Sequence, residues 1–457
     1  MTAGGIRIGL LLLLVCGQPG AGAAQDLLSA IRAAAPGDTI LVLPGTYTGN
    51  LLLDRRVVLI GMGNPVVRGE GRGSVMTITA DSCTVRGIVI EHSGPMLVNE
   101  DAGILLKSRG NLIEGNDLRD ILFGIYLFHA DRNTVRGNRI RGRTALDLGE
   151  RGSGIHIWNS ERNQFRGNDI ADVRDGFYIQ NAGHSLIERN RAYNLRYGVH
   201  YMYADSNVFL YNSFSGNVAG GAIMYSRGIV MRHNVFSHNR GFASFGILFQ
   251  DCHGLEADSN VVSDNAVGLF FEASTDNTFR HNVIARNDVA LQMFQNSVNN
   301  TFTGNNFIDN LSPLTIVGKT TGTRWSEGGR GNYWSDYQGY DLDGDGIGDV
   351  PMKIQSLFDY LEGQNGNTRL YLYSPASQAL AAAAKAFPIL DITMEVDSVP
   401  SVRPVDLGTL PAVRLAASDH PSAVDEQHGQ KAWVAFPLAA AAAAWLVFRP
   451  RARRKHS

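Results

Sequence analysis

His200 and Met202 stand two residues apart in Gly198-Val-His-Tyr-Met, and His156 holds the matching place in Gly154-Ile-His-Ile-Trp. If both segments are strands, His200 and Met202 share a face about 7 Å apart, with His156 two rungs below at roughly 10 Å. Imidazole and thioether are donors that suit copper, Cu(I) above all, and an ion held only in transit needs few, soft, exposed ligands. Three such residues cannot share one ion at those separations without a loop, which His92 and Met96 on the first long insertion are placed to supply. The plainer reading of any one of these histidines is a hydrogen-bonding surface residue. Cys83, and Cys252 beside His253 in a turn, read as structural thiols.

A second group is acidic. Asp341, Asp343, Asp345 and Asp349 fall at the first, third, fifth and ninth places of a loop with Gly346 sixth, the pattern of a calcium loop. Met352 stands twelfth, where a regulatory calcium loop needs Glu. The expectation is a calcium-stabilised structural turn.

What must position these residues is a repeat. Asn-x-[Val/Phe/Ile]-x-x-Asn-x-[Ile/Leu/Phe] recurs from Asn111 onward, and its second Asn falls at 116, 138, 168, 190, 212, 234, 260, 282 and 305. The spacing is 22 residues apart from insertions, room for about three short strands and their turns. Stacked, such units form a right-handed parallel β-helix, an all-β fold whose equivalent residues lie roughly 4.8 Å apart. The asparagines read as a structural ladder, tolerant of left-handed turns.

In each unit a strand opens on Gly and alternates, as in Gly124-Ile-Tyr-Leu-Phe and Gly268-Leu-Phe-Phe-Glu. Its outward columns then hold Tyr126 and Phe128, His156 and Trp158, Tyr178 and Gln180, His200 and Met202, Ile223 and Tyr225, Leu248 and Gln250, Phe270 and Glu272, Gln292 and Phe294. Such a stripe marks a binding surface or a sheet covered by other structure; on the first reading Tyr126, Phe128, Trp158, Tyr178, Tyr225, Phe270 and Phe294 are partner-binding residues. The insertions at Glu91 to Asp101, Arg141 to Ser153 and Arg240 to Ser244 all precede this strand and would rim the face. Sugars also stack on aromatics, so a polysaccharide-binding or polysaccharide-processing β-helix (lyase, epimerase or hydrolase) is the alternative. Sugar chemistry needs clustered carboxylates, whereas the columns hold one acid, Glu272, with Glu100, Asp101 and Asp147 on the rim.

The chain has 457 residues, 44% hydrophobic, with 51 Gly and a net charge of -2. That balance gives no electrostatic reason to expect a nucleic-acid partner. Arg7, an apolar run to Val15 and Ala21-Gly22-Ala23-Ala24 predict a signal peptide over residues 1–24. Residues 25–90 read as an N-terminal cap, with a short helix over Asp26 to Ala35, and the first coils. Residues 91–310 read as the β-helix proper, 311–373 as a closing region containing the acidic loop, and 374–430 as a linker. An Ala-rich apolar stretch in 431–448 predicts a transmembrane anchor, and the basic residues of 449–457 put the tail in the cytoplasm and the body outside.

Taken together, Pro36-Gly37-Asp38-Thr39-Ile40, Ser93-Gly94, Asp101-Ala102-Gly103-Ile104, Gly331-Asn332-Tyr333-Trp334-Ser335-Asp336-Tyr337 and the Asp341 to Asp349 loop resemble the NosD family, periplasmic maturation proteins of nitrous oxide reductase. The likeness covers about residues 25 to 375, and its specific part is the closing block. It implies a non-catalytic role in assembling the multicopper centre of that reductase. It further implies an ABC-type ATPase and permease as partners and a copper chaperone lipoprotein as donor.

Overall fold

In the computed structural model the chain winds into three parallel sheets. The first, of 13 strands, runs to Thr301–Thr303; the second, of 12, from Leu51–Leu53 to Ser312–Val317; and the third, of 13, from Thr46–Thr48 to Tyr333–Trp334. Every neighbouring pair within these sheets is parallel, coil upon coil, and the register is continuous in the pairs that carry the repeat, with a shift between Leu118 and Ile121 where the second insertion leaves the stack. The structure describes residues 22–355 except 242, residues 395–408, and isolated positions at 10–11, 363, 374–375 and 379. All of these belong to one unit, Met1–Ala412. The expected anchor at 431–448 and its basic tail lie outside the described residues. Among the described residues no helix is long and apolar enough to cross a membrane.

Three periodic devices make the stack. The ladder expected from sequence is present: each Asn of the series from Asn116 to Asn305 is buried, and its backbone N–H and Nδ2 both donate to the Oδ1 of the next, at 3.0 Å each for Asn190 on Asn212. The same Nδ2 also donates to a carbonyl of an earlier coil, Phe165 for Asn190. The left-handed residue is not the ladder Asn but the one before it, from Gly115 (φ 61°) to Gly304 (φ 63°). The second device is the glycine opening each groove strand. A Cβ at Gly176, Gly198, Gly220 or Gly246 would meet a carbonyl oxygen of the next coil at 2.5 to 2.6 Å, so the coils approach too closely there for any side chain. The third is an Asn ladder absent from the sequence reading, Asn217, Asn239, Asn265, Asn287 and Asn310.

The interior is a continuous apolar column, from Leu27 at one end to Ile354 at the other. A helix, α1 (Gly22–Ala33), caps the first coil with Leu27, Ala30 and Ile31 buried. It starts earlier than the expected Asp26 and spans the expected cleavage point. At the far end Trp334 stacks on Phe307 at 4.1 Å and Trp325 on Phe302 at 5.3 Å. Part of the stretch expected as a linker is built into this end. Asp397, fully buried, accepts from Asn332 N at 2.7 Å and from Trp334 Nε1 at 3.1 Å, and so ends the ladder. Glu395 accepts from Trp325 Nε1 at 2.9 Å. These residues continue the cap because the last coil would otherwise leave its orphan donors and apolar rings in water.

Candidate functional site

The 12-stranded sheet carries the face of interest. Its register lines up Tyr126, His156, Tyr178, His200, Ala222, Leu248 and Phe270 in one outward column, and Phe128, Trp158, Gln180, Met202, Met224, Gln250 and Glu272 in the other. Ile223 therefore points inward, 1% exposed, and Tyr225 leaves the face. It sits in a left-handed turn (φ 54°) and stacks on Tyr203 at 4.9 Å. The residues displaced by this one-position slip are Ala222 and Met224, and every side chain changes face with such a slip.

The face is three zones, not a uniform stripe. At one end Tyr126, Phe128 and Trp158 pack with Phe123 and with Leu146 of the second insertion. That insertion is braced by Arg151, whose Nε donates to Leu146 O at 2.9 Å, and Arg143 ties it to Ser93 and Gly94 of the first. At the other end Phe245, directly after the third insertion, lies 4.8 Å from Phe270, beside Leu248 and Phe294. Between these patches lie Tyr178, Gln180, His200, Met202, Ala222 and Met224.

The structure separates the two groove histidines. His156 is 5% exposed, with Tyr178 stacked on it at 4.5 Å and Tyr126 and Phe123 edge-on at 4.7 and 5.4 Å. Neither of its ring nitrogens has a hydrogen-bond partner. Burial, reinforced by the nearby Arg174 charge, pushes its pKa down to about 3, so the ring is neutral. His200 lies across the Tyr178 ring, 5.0 Å away, and is half-buried. Its Nδ1 is 3.6 Å from Asp175 Oδ2 and 3.4 Å from Arg196 Nη2.

Asp175 was not legible as a site residue, yet it organises this zone. It is fully buried, and Arg196 grips it twice, Nε to Oδ1 at 2.9 Å and Nη2 to Oδ2 at 2.7 Å, while Arg174 Nε donates to Oδ2 at 3.2 Å. Burial works against its charge, but the His200 and Arg196 contacts outweigh it and hold the carboxyl well below the usual carboxylate range. Tyr126 is displaced the other way: burial and the Glu100 carboxylate keep its phenol protonated far above the ordinary value.

The loop candidates do not join the groove pair. His92 Nδ1 contacts Asp120 Oδ2 at 2.9 Å, and Arg143 Nε donates to the other oxygen of that carboxylate, Oδ1, at 3.0 Å. Met96 is 49% exposed on the first insertion, and among the described residues no contact links either residue to His156 or His200. Cys83 occupies a ladder place, its N–H donating to Asn111 Oδ1 at 2.8 Å. Cys252 lies buried in the strand Ile247–His253, not in a turn, and burial raises its thiol to about 12, which keeps it protonated in the metal-free chain.

At the closing end Asp341, Asp343 and Asp345 bring carboxylate oxygens within 4.8 Å of one another. Asp341 accepts from Gly344 N and Gly346 N, and Asp345 from Ile347 N. Asp349 stands apart from that trio and accepts from Leu342 N at 2.7 Å. The loop is thus closed by its own backbone donors.

The fold and the face together define a three-sheet parallel β-helix with a half-buried His and Met zone between two aromatic patches. The chain belongs to the NosD family. The family model described as "Periplasmic copper-binding protein (NosD)" matches residues 136–339. A "Probable ABC transporter binding protein NosD" from Pseudomonas aeruginosa is 33% identical over 79% of this chain and 87% of its own length. A relative of the same name from Stutzerimonas stutzeri is 28% identical over 86% and 93%. Both names describe a binding protein tied to an ABC transporter, and the family description places its members in the periplasm. Among solved structures, the A-module of mannuronan C-5 epimerase AlgE6 from Azotobacter vinelandii matches with a TM-score of 0.54 at 14% identity, over 70% of this chain and 96% of that one. That likeness is one of fold alone.

Proposed function

We propose that this chain is an accessory protein in the maturation of nitrous oxide reductase, receiving copper as cargo on the groove face and passing it on towards the reductase's multicopper centre. A copper chaperone lipoprotein is the donor, and an ABC-type ATPase and permease are the membrane partners. The observation that carries the reading is the half-buried pair His200 and Met202 between two aromatic patches, in a family described as copper-binding. Imidazole and thioether fit copper in transit, because few soft donors hold Cu(I) without caging it. The patches around Trp158 and around Phe270 would seat the partner proteins, aromatic rings in half-buried clusters being the usual anchors of such contacts. Support for a role without catalysis comes from the relatives, which are named as binding proteins.

The test is replacement of the native copy in a denitrifying host by the His200→Ala/Met202→Ala form. The reductase isolated from it should carry less copper at its multicopper centre and lose activity in proportion. A fully copper-loaded reductase, with the variant present at normal levels, would overturn the proposal.

A further inference from the structure

Register adds a donor to the pair. Met224 is the direct partner of Met202 on the adjoining strand, and Ala222 is the partner of His200. Neighbouring strands lie about 4.8 Å apart, so the two unbranched, flexible thioether chains start side by side on the same face. Ala222 has no side chain beyond Cβ, which leaves room beside the imidazole that a larger residue in that column would fill. The donor set ends at these two coils, since the flanking positions are Tyr178 with Gln180 on one side and Leu248 with Gln250 on the other. His156 is excluded, because the Tyr178 ring stands between it and His200.

The ring of His200 has its polar partners on one side. Its polar contacts are both at Nδ1, to Asp175 and Arg196, which leaves Nε2 to the outer side. Arg196 can only donate, so in the metal-free ring Nδ1 accepts and the proton sits on Nε2; an ion at Nε2 requires the proton to move to Nδ1, where Asp175 Oδ2, 3.6 Å away, is the carboxylate that would accept it, the usual partner of a metal-binding His. Asp175 is itself fixed by Arg196 and Arg174.

We propose that His200 Nε2 and the thioethers of Met202 and Met224 form a three-donor seat for a monovalent soft metal ion, with Asp175 as the positioning residue behind His200. This rests on the copper reading above and locates its site. One imidazole and two thioethers select Cu(I) over divalent, oxygen-loving ions.

The experiment uses the full chain with Ag(I) as a redox-inert probe and Cu(I) in competition with a chromophoric chelator, and it follows the methionine methyl groups by NMR. One ion should bind, moving the Met202 and Met224 methyl signals and leaving Met96 in place. Met224→Leu, which keeps volume, should weaken binding at least tenfold, as should Met202→Leu. Asp175→Asn should weaken it by about tenfold and, at a given ion concentration, leave a larger share of His200 as the Nε2–H tautomer, a change that loss of stability alone does not produce. Wild-type binding that survives both leucine variants, with their neighbours' methyl signals unmoved, would overturn the seat and leave the copper reading standing. A wild-type chain that binds neither ion would overturn both.

Discussion

His156 and His200 occupy one column of one sheet, two coils apart, and the protein treats them oppositely. The coil that carries His156 is 30 residues long between ladder asparagines, from Asn138 to Asn168, and its extra residues lie in the loop that packs Leu146 against the Tyr126 and Trp158 cluster. The coil that carries His200, from Asn190 to Asn212, is the minimal 22 residues, with no excursion to cover the ring. One His is sealed among aromatic rings with both nitrogens orphaned; the other keeps a buried carboxylate behind it and a free side in front. The skeleton is the same in both places, so chemistry on a β-helix is decided by which coils carry insertions and what stands behind the strand.

The largest effect should come from breaking what the two histidines share. Asn190 closes the coil containing Tyr178, which touches both rings. Its Oδ1 accepts from Asn168 N and Nδ2, and its own Nδ2 serves Phe165 O and Asn212 Oδ1. Asn190→Ala takes this partner from two buried groups, Asn168 N–H and Phe165 O, at about 1–3 kcal/mol each, while Asn168 Nδ2 keeps Val135 O and Asn212 Oδ1 keeps the backbone N–H of residue 190. A loss of roughly 4 kcal/mol in unfolding free energy is expected, read as a lower denaturant midpoint, together with a weakening of metal binding in the same preparation.

Next in size is the acid sensitivity of the sealed ring. Unfolded, His156 titrates near 6.5, and folded it resists protonation down to about 3. The unfolded chain therefore binds a proton that the folded state refuses, so the stability tied to this neutral ring is complete above pH 6.5 and is lost as pH falls towards 3. Each pH unit in that window costs about 1.4 kcal/mol, or about 3 kcal/mol between neutrality and pH 4.5. His156→Phe removes the titrating group and the two orphan nitrogens while keeping the ring stack. The variant should match or exceed wild type at pH 7 and pull ahead by about 3 kcal/mol at pH 4.5, in chemical unfolding at the two pH values. Equal acid sensitivity in both chains would mean that His156 is not sealed in solution.

Much of this architecture was legible because it repeats. Ladder asparagines and groove glycines are dictated by contacts every coil makes with the next, so they recur at 22 residues and show through a single sequence. The second Asn ladder from Asn217 follows the same rule and was there to be read. What did not show were singular features: Asp175 is one acid among many until burial and its two arginines single it out, although Arg174 and Arg196 at the repeat spacing were a visible hint. The sealing of Tyr126 and His156 was equally hidden, because it depends on how an irregular insertion folds back. So was the capping role of Asp397, which comes from a segment 65 residues beyond the Asn332 it binds.

The register slip at Tyr225 has a physical cause and yields the smallest prediction. Two glycines adjoin at Gly220 and Gly221, and either could open the strand. The close approach falls at Gly220, where a Cβ would meet Gly246 O at 2.5 Å, whereas at Gly221 the nearest atom is 3.6 Å away. The 22-residue step from Gly176 and Gly198 also lands on Gly220. Tyr225 is thereby moved to the turn column, 37% exposed, its ring parallel to Tyr203 at an 11° interplanar angle. An exposed stacked pair contributes about 0.5–1.5 kcal/mol, so Tyr225→Ala should cost about 1 kcal/mol and leave Ag(I) affinity unchanged, while Met224→Leu costs little stability and lowers that affinity. If the two variants exchanged these effects, Tyr225 and not Met224 would face the groove, and the strand would open on Gly221 after all.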